Sequence, residues 1–163
     1  EIEIPQEAGL AFIITPEVDA ASDEIIENIK DWNDIFIALQ ELNIDSIELN
    51  ISCPNHIKSG INQVIINNAV SNFKNVSIKM PHGSSLRDIN KFYNSGISLF
   101  HISNASKTPY GGLSGTSLVY NNTRLIKQVK RNLSDNVKVI GGGGIYNVEI
   151  ANIIKTILII NLV

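Results

Sequence analysis

One cysteine, Cys53, in 163 residues leaves nothing from which an internal disulfide framework could be built. Aromatic residues make up only 6% and are scattered, which argues against a stacking platform for nucleic-acid bases. Basic residues form no run and the formal net charge is −3, so a phosphate backbone finds no clustered Lys and Arg, and nucleic acid is not an expected partner. No apolar stretch, the run 157–163 included, reaches the roughly 20 residues that span a bilayer. No basic segment leading into an apolar one marks a secretory leader, which makes the cytoplasm the expected setting. The three histidines, His56, His82 and His101, have no metal-ligand spacing to one another or to Cys53. No metal is expected, and each histidine reads as a surface or packing residue.

What the chain does have is alternation. Strand-like runs cover residues 10–14, 46–51, 76–80, 99–103, 137–140 and 157–162, with helical patterns between them. That order predicts parallel βαβ units, hence an α/β fold. The first helix is predicted over 32–42, with Asp31 as N-cap, an apolar stripe of Ile35, Leu39 and Leu42, and Asn43 closing it in the left-handed region. Ile61, Val64, Ile65, Ala69 and Phe73 outline a second helix, and Leu86, Ile89, Phe92 and Tyr93 a third that Gly96 terminates. Leu118, Leu125, Ile126, Val129 and Leu133 outline a fourth, and 148–154 a short fifth. Residues 15–30 read as a loop with a short acidic helix, and 157–163 as a buried strand. No Pro- or Ser-rich linker divides the chain, so it reads as one domain over 1–163.

Four segments carry chemistry. Ser46 to Ile51 runs as a strand into a loop that places the Cys53 thiol between the amides of Asn50 and Asn55. Amides offer donors and acceptors for a planar ligand, and a thiolate can handle a proton. A lone cysteine can equally be a small buried hydrophobe. Lys79 falls at the carboxyl end of its strand, where parallel α/β folds bind ligands, although a solvated strand end is the plainer alternative. Asn104 ends the next strand and opens a loop containing Gly111-Gly112-Leu113-Ser114-Gly115, which could also be a flexible connector. Gly141 to Gly144 follow a strand and precede a helical pattern, a placement that lets backbone amides approach a phosphate.

Taken in order, Glu-Leu-Asn-Ile-Ser-Cys-Pro-Asn at 48–55, Ile-Lys-Met-Pro at 78–81, Asn104 with Gly-Gly-Leu-Ser-Gly at 111–115, and the glycines 141–144 resemble the dihydroorotate dehydrogenase family. Its members are FMN-dependent TIM-barrel flavoenzymes of pyrimidine metabolism. The resemblance runs from about 32 to 154 and covers the carboxyl-terminal half to two-thirds of a family catalytic domain. It implies a parallel (β/α) barrel of TIM type, here partial, with about six βα units and truncated at both ends. It also implies oxidation of dihydroorotate to orotate with FMN as cofactor. By resemblance, Cys53 is the catalytic base, Asn50, Asn55 and Asn104 bind the pyrimidine substrate, and Lys79, Gly112, Gly115, Gly142, Gly143 and Gly144 bind the cofactor. Ala105 stands where the family often carries a hydroxyl residue.

Two other readings stand beside this one. Flavoenzymes acting on uracil-type pyrimidines share the same words, and the electron acceptor is open because Cys53 is similar to the cytosolic members while the loop words are closer to the quinone-using ones. An inactive barrel fragment is the third, since a closed barrel needs about 250 residues and a partial one leaves sheet edges free to pair in a homo-oligomer.

Overall fold

The computed structural model describes residues 12–14, 25–51, 61–103 and 105–159 and, among these, the side chains from 29 to 157. In chain order the elements are β1 (Phe12–Ile14), α1 (Ile25–Glu41), β2 (Ser46–Asn50), α2 (Gln63–Asn72), β3 (Asn75–Lys79), α3 (Leu86–Asn94) and β4 (Leu99–Ile102). There follow β5 (Ser106–Thr108), β6 (Gly111–Leu113), a 3-10 turn (Thr116–Leu118), α4 (Val119–Asn132), β7 (Lys138–Gly141) and α5 (Val148–Ile159).

The fold is α/β. Strands β1, β2, β3, β4 and β7 form one parallel five-stranded sheet in the order of the chain. A sheet that grows in one direction through crossovers of the usual right hand carries its helices on one face. The burial follows that rule. Ile47, Leu49, Ile78, Phe100 and Ile102 share one side of the pleat and join the core formed with Trp32, Phe36, Ile65, Ile66, Ile89, Ile126 and Val129 of the helices. Residues of the opposite parity are mostly polar: Glu48, Asn50, Ser77, Lys79 and His101.

Helix ends follow from local chemistry. Ser85 caps α3 in a capping box with Asp88, and Gly96, at φ +96°, lets the Ile97 amide reach back to the Phe92 carbonyl at 3.1 Å. Asn43, at φ 57°, closes α1 in the same way, with Ile44 N–H donating to Leu39.

Three expectations require correction. Asp31 is not an N-cap, because α1 already runs from Ile25; Ile29, Trp32, Phe36 and Leu39 form the stripe that meets the core, while Leu42 is exposed. The loop opened by Asn104 contains a hairpin, in which β5 and β6 pair antiparallel around Pro109 and Tyr110, with Thr108 Oγ1 accepting from the Tyr110 amide. The expected sixth strand does not form over 157–159. α5 continues through Ile159, since Ile150, Ile154 and Ile157 repeat at helical spacing and the last two are buried. Residues 160–163 lie outside the described residues. No helix among the described residues is long and apolar enough to cross a membrane.

Candidate functional site

Parallel register brings three predicted or chemically active residues into one row. Asn50 at the end of β2 is aligned with Lys79 at the end of β3, and Lys79 with His101 in β4. All three have the parity of the polar face, near the carboxyl ends of the strands. Lys79 is half-buried, and no carboxylate among the described residues pairs with it.

Sequence reasoning missed the most tightly built feature of this face. Glu48 and His101 sit on strands separated by β3, about 9.6 Å apart at two strand spacings, yet their side chains meet. His101 Nδ1 lies 3.1 Å from Glu48 Oε1 and 3.0 Å from Oε2. Ser77, aligned with Glu48 on the intervening strand, is small enough for the two long side chains to reach over it. Its hydroxyl lies 3.3 Å from the Ile47 carbonyl and 3.4 Å from Glu48 Oε2. An ionised carboxylate can only accept, so the contact places a proton on Nδ1 and leaves Nε2 as the nitrogen available for other chemistry. Glu48 is 5% exposed, and such a buried charge persists only when paired. The sequence held half the signal, since both residues fall on the polar parity of their strands. What brings them together is the register of three strands.

The glycine words meet as well. Gly143 and Gly144 adopt φ of 81° and 78°, a region where side chains are strained. A Cβ on Gly144 would overlap the Gly115 carbonyl oxygen, so the cofactor-binding words predicted separately at 111–115 and 142–144 touch through Gly115 and Gly144. A Cβ on Gly143 would lie 2.6 Å from Asn122 Nδ2, and one on Gly142 would lie 2.9 Å from Ser103 Oγ. Asn122, which is buried, donates to the Gly142 carbonyl at 2.8 Å. Packing against protein atoms therefore explains why these positions are glycine. The case for a phosphate rests on their place, immediately after β7 and ahead of α5, whose first turn is capped by Asn147 Oδ1 accepting from Ile150 N–H at 2.9 Å. Gly112 lies in the exposed strand β6, packed against Ala105, and the structure does not bring it to the row of Asn50, Lys79 and His101.

Cys53, Asn55 and Asn104, together with His56, lie outside the described residues. Among the described residues no three His, Cys, Asp or Glu side chains form a metal-binding group. A cation at a strand end, an amide beside it and a glycine turn before a helix N-terminus are groups that can hold an anionic, hydrogen-bonding ligand. Compared with models of known protein families the sequence matches none, and no curated protein matches it.

Proposed function

We propose that this chain is an FMN-dependent oxidoreductase that oxidises dihydroorotate to orotate, and that its singly wound sheet is an arc of a (β/α) barrel of TIM type. The observation that carries the reading is the row of Asn50, Lys79 and His101 on adjacent parallel strands, with the glycine turn 142–144 at the end of the next strand. Ligand sites in such sheets form at the carboxyl ends of the strands.

Each residue then has a task. The Lys79 ammonium holds the pyrimidine edge of the flavin and stabilises negative charge there. The glycine turn and the amino end of α5 receive the phosphate. Asn50, Asn55 and Asn104 orient the substrate ring through their amides. Cys53, as thiolate, accepts the proton from C5, which ends on its sulfur. When bound, FMN supplies the acceptor for the hydride that leaves C6. Glu48 fixes the His101 ring beside Lys79, so that Nε2 presents a positioned hydrogen-bonding atom to the same ligand.

The test is optical. The purified chain, mixed with FMN and freed of excess, should stay yellow, and dihydroorotate added without oxygen should bleach it. A colourless protein refutes flavin binding by this chain. Bleaching by dihydrouracil but not by dihydroorotate would keep the cofactor and move the substrate to the uracil type.

A further inference from the structure

A polar concavity lies between the loop 80–85 that joins β3 to α3 and one face of α4, next to the glycine turn. Its volume is about 570 Å³, within the range of small-molecule sites. The sequence contains three arginines against ten lysines, and two of the three, Arg87 from the first turn of α3 and Arg124 from α4, line this one cleft. Among the described residues neither is in an ion pair. His82 lies in the same lining, and its Nδ1 is the one buried side-chain polar atom among the described residues that has no hydrogen-bond partner. Asn121, Arg124, Leu125 and Gln128 repeat at helical spacing along the α4 wall, and no carboxylate lines the cleft. Concentrating basic side chains on one concavity of a chain with net charge −3 is the pattern of an oxyanion site, because guanidinium groups bind phosphate and carboxylate through paired N–H donors.

We propose that this cleft binds a small molecule bearing a phosphate or carboxylate group, held between Arg87 and Arg124. The amino end of α3 is not the receptor. Asp88 already occupies it, its Oδ2 accepting from the Ser85 amide at 2.8 Å and from the Ser85 hydroxyl at 2.7 Å. The arginines supply the recognition, Asn121 and Gln128 supply amides for the rest of the ligand, and Met80, Leu86 and Leu125 supply the apolar floor. Asn122 and Ser103 border both this cleft and the glycine turn, so the two sites are neighbours divided by a single layer of side chains.

Calorimetric titration of the whole chain with pyrophosphate, and separately with citrate, at constant low ionic strength tests the proposal. Saturable binding with Kd below about 1 mM is expected for at least one of them, and which one binds separates phosphate-bearing from carboxylate-bearing ligands. Arg87→Ala and Arg124→Ala should each weaken it about tenfold or more, and Arg124→Lys, which keeps the charge but loses the fork, should weaken it severalfold. Circular dichroism checks that each variant is folded. No saturation by either anion overturns the proposal. So does affinity unchanged in the Arg87→Ala/Arg124→Ala double variant, which would move the anion to the glycine turn.

Discussion

Replacing His101 by leucine exposes what the Glu48–His101 contact is worth. The substitution removes both Nδ1 contacts from a carboxylate that is 5% exposed and leaves it, among the described residues, only the 3.4 Å approach of Ser77 Oγ. Breaking a buried pair on one side costs about 3 to 5 kcal/mol, because the stranded charge remains. His101→Leu should therefore lose about 3 to 5 kcal/mol at pH 7. Replacing both partners by apolar residues of similar volume, Glu48→Met with His101→Leu, removes the stranded charge and should restore most of the loss. Urea unfolding at pH 7 measures the wild type and both variants. A loss below about 1 kcal/mol at pH 7 for the single variant, or a double variant no more stable than the single, would refute the view that the contact neutralises a buried charge.

Gly83 and Gly144 share nearly the same φ, 82° and 78°, but a Cβ on Gly83 meets nothing within 4 Å while one on Gly144 overlaps the Gly115 carbonyl and approaches Val119. Gly83→Ala should cost only the backbone strain, about 1 to 2 kcal/mol, and Gly144→Ala at least about 1 kcal/mol more, read as the difference in their melting temperatures. The Ser85 amide and hydroxyl hold the Asp88 carboxyl below the usual carboxylate range. A depressed acid stabilises the fold above its unfolded value and loses that contribution as pH falls through the folded value. Asp88→Ala should thus cost about 0.5 to 1 kcal/mol at neutral pH, with the gap to wild type closing below about pH 4 in acid-unfolding curves. In the functional reading, Lys79→Ala should weaken FMN binding about tenfold or more, measured by flavin fluorescence quenching; unchanged affinity would remove the lysine from the cofactor site.

Much of the sheet was legible because β-branched runs bounded by helical periodicity leave few alternatives. Five of the six expected strands form, with bounds within two residues of those read from the pattern. Gly96 and Asn43 were legible as helix ends because each occupies a left-handed position that few residues adopt at low cost. The run at 157–162 was misread because a continuous stretch of Ile and Leu carries no period of its own; the partners at 150 and 154 decide for helix. The hairpin at 106–113 escaped notice because each of its strands is only three residues long and its turn depends on the Thr108 hydroxyl. At the candidate site, Lys79 and Asn50 could be placed from strand ends alone. The Glu48–His101 contact could not, since its partners are 53 residues apart and meet only once three strands are in register.

The two faces of the sheet bear directly on the proposed barrel. In a doubly wound α/β fold helices cover both faces, so strands read as nearly continuous apolar runs. Here Ile47, Leu49 and Ile78 are buried against helices, while Glu48 and Ser77, on the other parity, are buried and polar. A paired charge shielded from water at Glu48 suits the enclosed lumen of the proposed barrel, where side chains of neighbouring strands complete one another's hydrogen bonds. The strands are added in sequence from one edge, as the proposed barrel requires, whereas a doubly wound sheet reverses at a switch point. In the proposed barrel the Glu48–His101 contact lies at the layer that a bound ligand would cap. Hydrogen exchange of the β3 and β4 amides should then slow on FMN binding by more than that of β1, which supplies none of the residues assigned to the ligand. Equal protection of all the strands would instead mark the polar face as an ordinary sheet surface.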